Sequence, residues 1–436
     1  MESKGKRVIA LEADFSVDVM PAFLAMVEKT ALAYGMDKKS VMDLTLAAEE
    51  IFSYLSAVSD THDPVRIECV DGRYYIEVNF VFSSRQLNLH AFNLTAKIDP
   101  ADETRIQDMG LLMAARLADH VHFLMDPDRK MRLSICKEKK YPQGTVLETL
   151  TGTEAKTSWI DTPLSDDLKI FCQMVISVYT PDETPAFIAS PGKFVDMVQS
   201  GDYQAALAYD DHKNILGGIF WSQTEGKTID FYGPFLFADI PGCDASLLEF
   251  CLEKVGRSDC PGIMNRQAFE GETAQYFEIL GSTRDYRPDG SVRLHKAMYR
   301  QLIEDLGVRV LAHPELMEFL KTEYSRLYLP RNLQASGWMG EKNEEHSVFT
   351  ADFSQFKVTL RALMAGRDAD ENLAGHLKLL AREGITNIFF ELDLGRPWQS
   401  QLVPALLKNQ FLPCFLMPYA GAGDVVLFQH QAGETR

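Results

Sequence analysis

Residues Asp43–Ser56, which read D-L-T-L-A-A-E-E-I-F-S-Y-L-S, decide the fold of the first third of the chain. Apolar residues recur along this stretch at helical spacing, which predicts an amphipathic helix over Lys38–Val58 with one buried face. Glu50 and Tyr54 are four residues apart, so their side chains project from the same side of that helix. The helix therefore presents a carboxyl and a phenol group in one direction.

The segments around this helix complete a small α/β pattern. Asp71-Gly72 separates two alternating segments and is a strong hairpin signal. In chain order we expect a strand, two helices, a hairpin, a loop, a helix and a second hairpin. The expected bounds are Arg7–Leu11, Val17–Tyr34, Lys38–Val58, Val65–Val70, Tyr74–Phe82, Gly110–Ala118, Val121–Met125 and Met131–Lys137.

This order of elements, together with the Glu50 helix, resembles the bacterial anti-sigma-factor serine kinases of the GHKL (histidine-kinase-type) ATPase superfamily. In that family a Glu and, four residues later, an Asn face the nucleotide, and the Asn carries magnesium. Glu50 matches the Glu, and Tyr54 stands at the Asn position. Gly110-Leu111 matches the end of a Gly-x-Gly-Leu loop, where helix amides face a phosphate. The resemblance implies ATP with magnesium as a candidate cofactor and Glu50 as a general base.

Two departures from the family pattern bear on this site. Tyr54 offers a phenol, which is a poor substitute for a magnesium-binding amide. The segment Phe82–Asn93 corresponds to the family's adenine-binding Asp-x-Gly-x-Gly loop, but it contains no glycine, and Asp99 and Asp102 come only later. Without glycine the backbone does not readily adopt positive φ angles and approach a nucleotide closely. We expect the fold to be kept and phosphoryl transfer to be impaired.

The middle of the chain follows a second pattern. The expected elements are a helix over Asp166–Tyr179, strands over Gln204–Asp210, Ile215–Thr224 and Thr228–Phe237, a helix over Cys243–Val255, a strand over Gly262–Phe269 and a helix over Glu272–Leu280. Across Ile160–Leu294 this layout resembles the GNAT-type N-acyltransferases, whose acyl donor is acetyl-CoA.

The GNAT resemblance implies a CoA pyrophosphate site at the start of the Cys243–Val255 helix. Gly242 matches the middle glycine of the family motif Gln/Arg-x-x-Gly-x-Gly/Ala, and the amides of Cys243, Asp244 and Ala245 would face the phosphates. Carboxylates at the first and last motif positions, Asp239 and Asp244, would repel a pyrophosphate. Asp244 also fits a helix-capping or first-turn role.

Tyr276 stands where the GNAT family often has a tyrosine that protonates the departing thiolate. A tyrosine beside Phe277 on a buried helix face is equally consistent with a core position. Both interpretations of Tyr276 stay open at the level of sequence.

The last third of the chain repeats part of the GNAT-like pattern. Ala374–Arg382 parallels Ala245–Lys254, and Pro404–Phe411 parallels Gln275–Ser282, with one offset of 129 residues for both pairs. A constant offset predicts a duplicated fold unit, and chance similarity of amphipathic helices is the alternative. Strands are expected over Asn387–Leu392 and Val425–Gln429.

A chain of 436 residues exceeds a usual single core, so we expect several domains. The expected fold class is α/β (α+β), with an N-terminal GHKL-type α/β sandwich followed by two GNAT-like mixed-sheet units. The expected domains are residues 1–140 (degenerate anti-sigma-kinase-like), 141–158 (linker), 159–298 (first GNAT-like domain) and 299–436 (second GNAT-like domain).

Charge and composition exclude several classes of ligand. The net charge is −18, so the surface repels phosphate backbones and anionic membranes and favours basic protein partners. The sequence holds no uncharged apolar segment of about 18 residues, and its start lacks a signal-peptide core. Seven scattered cysteines without a C-x-x-C pair indicate reduced thiols in a cytoplasmic protein. His120 and His122 alternate on a strand without a third ligand at metal spacing, so no metal site is expected.

The function that fits these patterns is a regulatory one. The resemblance to anti-sigma factors implies partner-switching control by binding a protein, of the sigma-factor or anti-sigma-antagonist type, with eroded nucleotide and CoA sites. Such domains commonly pair, so a homodimer is a further expectation. The alternatives are an acetyl-CoA-dependent N-acyltransferase in residues 159–298, with Tyr276 as its acid, and a weak ATP-dependent serine kinase using Glu50.

Overall fold

The structure is a computed structural model that describes residues 6–431, except for residues 60–62, 84–88, 97–105, 126–129, 148–158, 224–225, 238–239, 269–274, 288, 336–344 and 355–356. Asp99, Asp102 and Asp239 lie outside the described residues, as does nearly all of the Thr/Gly/Ser-rich part of the expected linker.

The described helices and strands alternate along the whole chain. The α-helices are α1 Met20–Ala33, α2 Lys38–Val58, α3 Ile106–Leu117, α4 Ser165–Val178, α5 Pro191–Gln199, α6 Cys243–Val255, α7 Met317–Arg326, α8 Ala369–Arg382 and α9 Val403–Lys408. The strands are β1 Arg7–Asp14, β2 Pro64–Asp71, β3 Tyr75–Ser83, β4 His120–Met125, β5 Lys130–Glu138, β6 Trp159–Asp161, β7 Tyr203–Tyr209, β8 Ile215–Ser222, β9 Ile229–Leu236, β10 Gly262–Ala268, β11 Glu278–Tyr286, β12 Val292–Gln301, β13 Val308–Ala312, β14 Arg331–Ala335, β15 Val348–Ser354, β16 Lys357–Met364, β17 Asn387–Asp393, β18 Phe411–Met417 and β19 Val425–His430. The chain is an α/β protein, which confirms the expected fold class.

The chain forms two compact units. Unit 1 comprises residues 1–141, 344–352 and 362–379, and unit 2 comprises residues 142–343, 353–361 and 380–436. The expected boundaries of the four domains remain predictions.

Unit 1 is built on an antiparallel sheet of strand order β1-β2-β3-β5-β4. The inward side chains of its central strands, such as Ile67, Val78 and Leu133, join the apolar faces of α1, α2 and α3 in one buried core. β1 forms an edge of this sheet. The expected order of elements in the first third of the chain is confirmed.

Helix α2 begins and ends where the sequence predicts. Asp37 caps it, because its side-chain carboxylate accepts hydrogen bonds from the amides of Lys39 (3.1 Å) and Ser40 (3.2 Å). The hydroxyl of Ser40 donates to the same carboxyl group at 2.6 Å, and these bonds lower the pKa of Asp37 to about 2. The face spaced as expected, including Leu44, Ile51 and Leu55, is fully buried.

Unit 2 contains a mixed seven-stranded sheet of order β11-β12-β10-β9-β8-β7-β6. β9 and β10 are parallel, and the other neighbouring strands are antiparallel. Helix α6 packs on one face through Leu247 and Leu248, against Ile229 and Ile263 of the parallel pair. Phe171 of α4 belongs to a separate core cluster of the same unit.

A second sheet in unit 2 contains the strands β16-β17-β19-β18 in that order. β16 and β17 are parallel, whereas β19 is antiparallel to both β17 and β18. The strands β9-β10-β12-β11 have the same order and the same directions. The duplication stays a prediction, and this repeated order supports it.

The expected helix over Glu272–Leu280 is wrong in its C-terminal part, which is the part that the structure describes. Glu278–Tyr286 forms β11, which pairs with β12 from Glu278 opposite Tyr299 to Tyr286 opposite Val292. Its expected counterpart Pro404–Phe411 does contain a helix, α9. The helical spacing of Tyr276, Phe277 and Leu280 misled the prediction, because the long antiparallel partner of β11 cannot be read from local periodicity.

Within the described residues, no helix is both long and apolar enough to cross a membrane. All seven cysteines lie in the described residues as free thiols, and all but Cys414 are buried.

Candidate functional site

The nucleotide-type position of unit 1 lies on α2, where Tyr54 is a core residue. Its side chain is only 4% exposed and belongs to the cluster that contains Ile51, Phe52 and Leu55. Glu50, one turn earlier, is half-buried. The two residues share a side of the helix as predicted, but the phenol at the expected magnesium position is packed into the apolar core.

Gly110 lies inside α3 rather than at its start, because the helix begins at Ile106. A Cβ atom at Gly110 would stand 2.4 Å from Oε2 of Glu50, so the missing side chain lets α2 and α3 approach closely. Gly110 and Leu111 thus lie beyond the first turn of α3, and their expected contact with a phosphate remains a prediction. Leu111 is fully buried in the core. Glycine interior to a helix costs about 1 kcal/mol, which is why the sequence favoured a later start.

The described part of the glycine-free segment is packed against the same core. Phe82 at the end of β3 is 2% exposed, and Leu89, Ala91 and Phe92 are also buried. His90–Phe92 forms a short 3-10 helix. In the described residues of this segment, apolar side chains therefore belong to the core of unit 1.

The CoA-type position of unit 2 lies at the start of α6, whose bounds are as predicted. Gly242 precedes the helix with φ of 75°, a left-handed conformation that favours glycine. Beyond its chain neighbours, no described atom would lie within 4 Å of a Cβ at Gly242. Cys243 is buried, and Asp244 is the acidic residue of the first turn, followed by Ala245. The first-turn amides of α6 have no side-chain cap from Gly242, so the helix start is chemically suited to an anion.

A side chain of the sheet links the parallel strands β9 and β10 beyond their paired residues. The parallel strands β9 and β10 pair at Ile229 with Ile263 and at Asp230 with Met264. Further along, the amide Nδ2 of Asn265 donates to the carbonyl of Gly233 at 3.2 Å. The side chain of Asn265 thus links the two strands beyond their last paired residues.

Four charged side chains form a network at the two parallel strand pairs of unit 2. Arg266 donates from Nε and Nη2 to the carboxylate of Asp230 (3.3 and 3.1 Å) and from Nη1 to Glu391 (2.8 Å). Arg361 donates from Nε to the other oxygen of Glu391 at 2.7 Å. Arg361 and Glu391 are register partners on β16 and β17. Arg266 therefore joins one parallel pair to the other.

The two carboxylates of this network, buried Asp230 and half-buried Glu391, respond differently to their surroundings. Burial raises the pKa of Asp230, and Arg266 offsets that rise only in part. Burial alone would also raise the pKa of Glu391, but Arg361 and Arg266 outweigh it and hold that pKa at about 2. Glu391 is therefore a stable carboxylate between two guanidinium groups, and not a proton donor or acceptor near neutral pH.

Tyr276 is half-exposed, at 50% of its surface, and lies just before β11. The interpretation of Tyr276 as a buried core residue is wrong, because half of its surface is exposed. The structure thus leaves its phenol accessible, and residues 269–274 before it lie outside the described part of the chain.

The four-residue charge network was missed at the level of sequence. Its members are Asp230, Arg266, Arg361 and Glu391. The available signal was a charged residue inside an otherwise apolar strand, as in N-I-F-F-E-L-D over Asn387–Asp393. Such a charge is expected to be paired when it is buried, but its partner lies too far away in sequence to be inferred.

The chain is similar to solved structures from the two families that the sequence resembles. A GNAT-superfamily phosphinothricin acetyltransferase from Sinorhizobium meliloti, solved with acetyl-CoA, is 17% identical, with 34% of this chain and 89% of that chain covered and a TM-score of 0.28. The PaiA N-acetyltransferase from Thermoplasma acidophilum, solved with coenzyme A, is 11% identical, with 33% and 98% covered and a TM-score of 0.25.

A structure of the RsbU and RsbW domains of a Mycobacterium tuberculosis protein is 11% identical, with 33% of this chain and 35% of that chain covered and a TM-score of 0.23. Each of these matches covers about a third of the present chain. No family model and no curated protein matches the sequence.

Proposed function

We propose that this protein is a regulatory protein that acts by binding another protein, in partner-switching control, and that it turns over neither ATP nor acetyl-CoA. The observation that carries the proposal is the charge network of Asp230, Arg266, Glu391 and Arg361 on the two parallel strand pairs of unit 2. The burial of Tyr54 at the nucleotide-type position supports it independently.

In unit 1, magnesium bound with ATP would need a coordinating side chain at position 54, where the side chain of Tyr54 is packed in the core. Moving this side chain out of the core would leave a cavity, which for a large aromatic residue costs about 3–5 kcal/mol. The close approach of Glu50 to Gly110 leaves no room for a side chain at residue 110 unless the Glu50 carboxylate moves. Both contacts favour a scaffold role for this unit.

In unit 2, a CoA arm that extends from the start of α6 into the sheet would meet the bond between Asn265 and Gly233. It would also approach Asp230 and Arg266, whose side chains already satisfy one another. Leaving one partner of such a buried pair uncompensated is strongly destabilising, by about 3–5 kcal/mol in fully buried cases. The free energy of acetyl-CoA binding would have to exceed this loss of stability.

The edge strand β1 offers a surface suited to a protein partner. Its residues Val8 and Ile9 are apolar yet 49% and 43% exposed. An exposed edge strand can accept a further strand from another chain through backbone hydrogen bonds. Because the net charge is −18, we expect a basic segment of a partner of the sigma-factor or anti-sigma-antagonist type. A second copy of this chain would use the same edge if the protein forms a homodimer.

Thermal unfolding in the presence of each cofactor tests the first half of this proposal. We expect the melting temperature to be unchanged by acetyl-CoA or by Mg-ATP at concentrations up to about 1 mM. A ligand that binds the folded state at 100 times its Kd adds about 2.7 kcal/mol, so binding at a Kd of 10 µM would be obvious. Transfer of radiolabelled phosphate from ATP to a partner serine, abolished by Glu50→Ala, would contradict the proposal.

Binding to candidate partners tests the second half. Purified sigma factors and anti-sigma antagonists from the host would be titrated against the wild-type chain and a Val8→Lys/Ile9→Lys variant. We expect one partner to bind the wild type with a micromolar or lower Kd, more weakly at high salt, and to lose at least tenfold affinity for the variant. Absence of binding by the whole set would contradict partner switching by this class of partner.

An N-acyltransferase is the second candidate function, and the start of α6 favours it. Gly242 leaves open space before the first-turn amides, and Tyr276 is accessible. This alternative predicts that the protein releases free CoA thiol when acetyl-CoA and an amine acceptor are both present. It also predicts that Tyr276→Phe lowers kcat while the affinity for acetyl-CoA is kept.

A further inference from the structure

Three separate segments of unit 1 bring His90, His346 and Asp368 together. One potential ligand atom from each residue lies within 4.8 Å of the others, and all three side chains are half-buried. Nδ1 of His346 is 3.0 Å from Oδ2 of Asp368, and the imidazole rings of His90 and His346 have centroids 4.7 Å apart. Two imidazoles and one carboxylate thus share one small volume.

The His346–Asp368 distance and the spacing of the two imidazole rings match those of ligands on a single metal ion. Nitrogen and carboxylate ligands lie about 2.0–2.2 Å from zinc, so two neighbouring ligand atoms at octahedral or tetrahedral angles are about 3.0–3.4 Å apart. The His346–Asp368 pair already has this spacing. Two imidazole rings on one ion have centroids separated by about 4.6–5.3 Å, and the observed 4.7 Å falls in that range.

Neighbouring polar groups hold the three side chains in place. The other oxygen of Asp368, Oδ1, accepts hydrogen bonds from the amide (2.6 Å) and hydroxyl (2.8 Å) of Ser347, which directs Oδ2 towards His346. Such outer contacts are typical of metal ligands, because they fix the orientation of the coordinating atom.

The contacts of Asn93 determine which nitrogen of His90 carries a lone pair. Its Nδ2 donates to the carbonyl of Ser347 (2.9 Å), and its Oδ1 accepts from the amide of Phe349 (2.9 Å), so the orientation of the amide group is set. The same Nδ2 lies 3.2 Å from Nδ1 of His90. Nδ1 of His90 is therefore an acceptor that already receives a hydrogen bond from Asn93, and a metal ion at this nitrogen would replace that bond.

A second group of histidine and carboxylate side chains, in unit 2, is a poorer candidate for a metal site because its carboxylates are already paired with cations. It consists of Asp182, Asp285 and His295. Arg293 lies 3.3 Å from Asp182, and Lys357 lies 3.8 Å from Asp285, so the carboxylates there already have cationic partners. Among the described residues, Asp368 has His346 as its ion-pair partner and no Lys or Arg.

We propose that His90, His346 and Asp368 form a binding site for a divalent first-row transition metal ion of the zinc class. Two imidazole nitrogens and one carboxylate oxygen suit such an ion better than they suit magnesium or calcium, which prefer oxygen ligands alone. Three protein ligands leave further coordination positions open to water or to a partner's side chain. The bound ion would tie together the segments around residues 90, 346 and 368. The sequence-based expectation of no metal did not consider His90, His346 and Asp368.

Titration of the tag-free, chelator-treated full chain with Co²⁺ and with Zn²⁺ tests this site. We expect one ion per chain, a visible Co²⁺ absorption band, and displacement of Co²⁺ by Zn²⁺. Asp368→Asn keeps an acceptor for Ser347 while it removes the anionic ligand, and His346→Gln removes an imidazole. Each variant should bind Co²⁺ at least tenfold more weakly, whereas His122→Ala, which removes an exposed imidazole from the same unit, should bind like the wild type.

Circular dichroism melts would show that each variant is folded before its metal affinity is compared. Saturable 1:1 binding that folded Asp368→Asn and His346→Gln both weaken supports the site. The proposal is overturned if the wild type shows no saturable binding below about 100 µM, or if both folded variants bind as tightly as the wild type. Neither result depends on whether the protein binds a partner in the way proposed above.

Discussion

At the scale of single residues, periodicity gives the direction of a side chain but not the depth at which it lies. The four-residue spacing placed Glu50 and Tyr54 on one side of α2, and the structure confirms this. The sequence did not show that Tyr54 is nearly inaccessible while Glu50 is half-buried. The burial of side chains on α2 depends on α3, which approaches this part of α2 at Gly110. That contact joins residues that are 60 positions apart in the sequence.

Tyr54→Asn tests whether the phenol is a structural residue. Replacing a buried aromatic side chain by a small polar one creates a cavity and buries an amide, so we expect a loss of about 3–5 kcal/mol in the free energy of unfolding. Chemical denaturation measures this loss. Ser53→Asn, at the exposed neighbouring position, should change stability by less than about 0.5 kcal/mol. A variant at Tyr54 that is as stable as wild type and binds Mg-ATP would show that the position is a functional pocket.

The charge network predicts a dependence of stability on pH. The pKa of Glu391 is lowered in the folded state to about 2 from its ordinary value of 4.5. A depressed pKa means that the stabilisation is complete above about pH 5 and is lost as the pH falls from there towards 2. Glu391→Gln removes the titrating group, so its free energy of unfolding should fall less steeply over that interval than that of the wild type.

The same variant should be less stable than the wild type at pH 7, by about 1–3 kcal/mol, because two guanidinium groups lose a charged acceptor. Urea unfolding at several pH values measures both effects. Glu253→Gln, an exposed position on α6, is the matched control and should follow the wild-type curve. Parallel curves for Glu391→Gln and the wild type would show that Glu391 is not held ionised by the two arginines.

At the scale of elements, helices and strands with strong local signals could be predicted, whereas the start of β11 could not. The bounds of α2 and α6 are those expected, since one has an aspartate cap and the other begins after a left-handed glycine. The first three residues of β11, 278–280, were predicted as the end of a helix, because the stabilisation of this strand comes from pairing with β12 and from contacts with β18. Such contacts produce no periodic pattern of residues in the sequence.

Gly281 in β11 tests the contact between β11 and β18. A Cβ at this position would lie 2.8 Å from both the carbonyl oxygen of Cys414 and the Cβ of Phe415. Because backbone is one of the obstacles, Gly281→Ala should destabilise unit 2 by about 1–3 kcal/mol. Ser282→Ala, one residue later and exposed, should have little effect in the same thermal and urea melts. Equal stability of the two variants would show that β11 and β18 do not approach as described.

At the scale of the whole molecule, the fold class could be predicted from the sequence, whereas the contents of the two cofactor positions could not. The absence of glycine in Phe82–Asn93 and the carboxylates near Gly242 were the departures from the two family patterns that the sequence showed. Arg266 and Glu391 are 125 residues apart in the chain yet form one ion pair. Only the folded arrangement of the two parallel strand pairs brings them together.

The central claim is that the protein's own side chains have replaced both cofactors, and it is tested most directly by crystals soaked with acetyl-CoA and, separately, with Mg-ATP. We predict an unchanged network of Asp230, Arg266, Glu391 and Arg361, a buried Tyr54, and no ordered phosphate near Gly242 or Glu50. A pyrophosphate seated on the first-turn amides of α6, or magnesium and a triphosphate beside Glu50, would contradict the account.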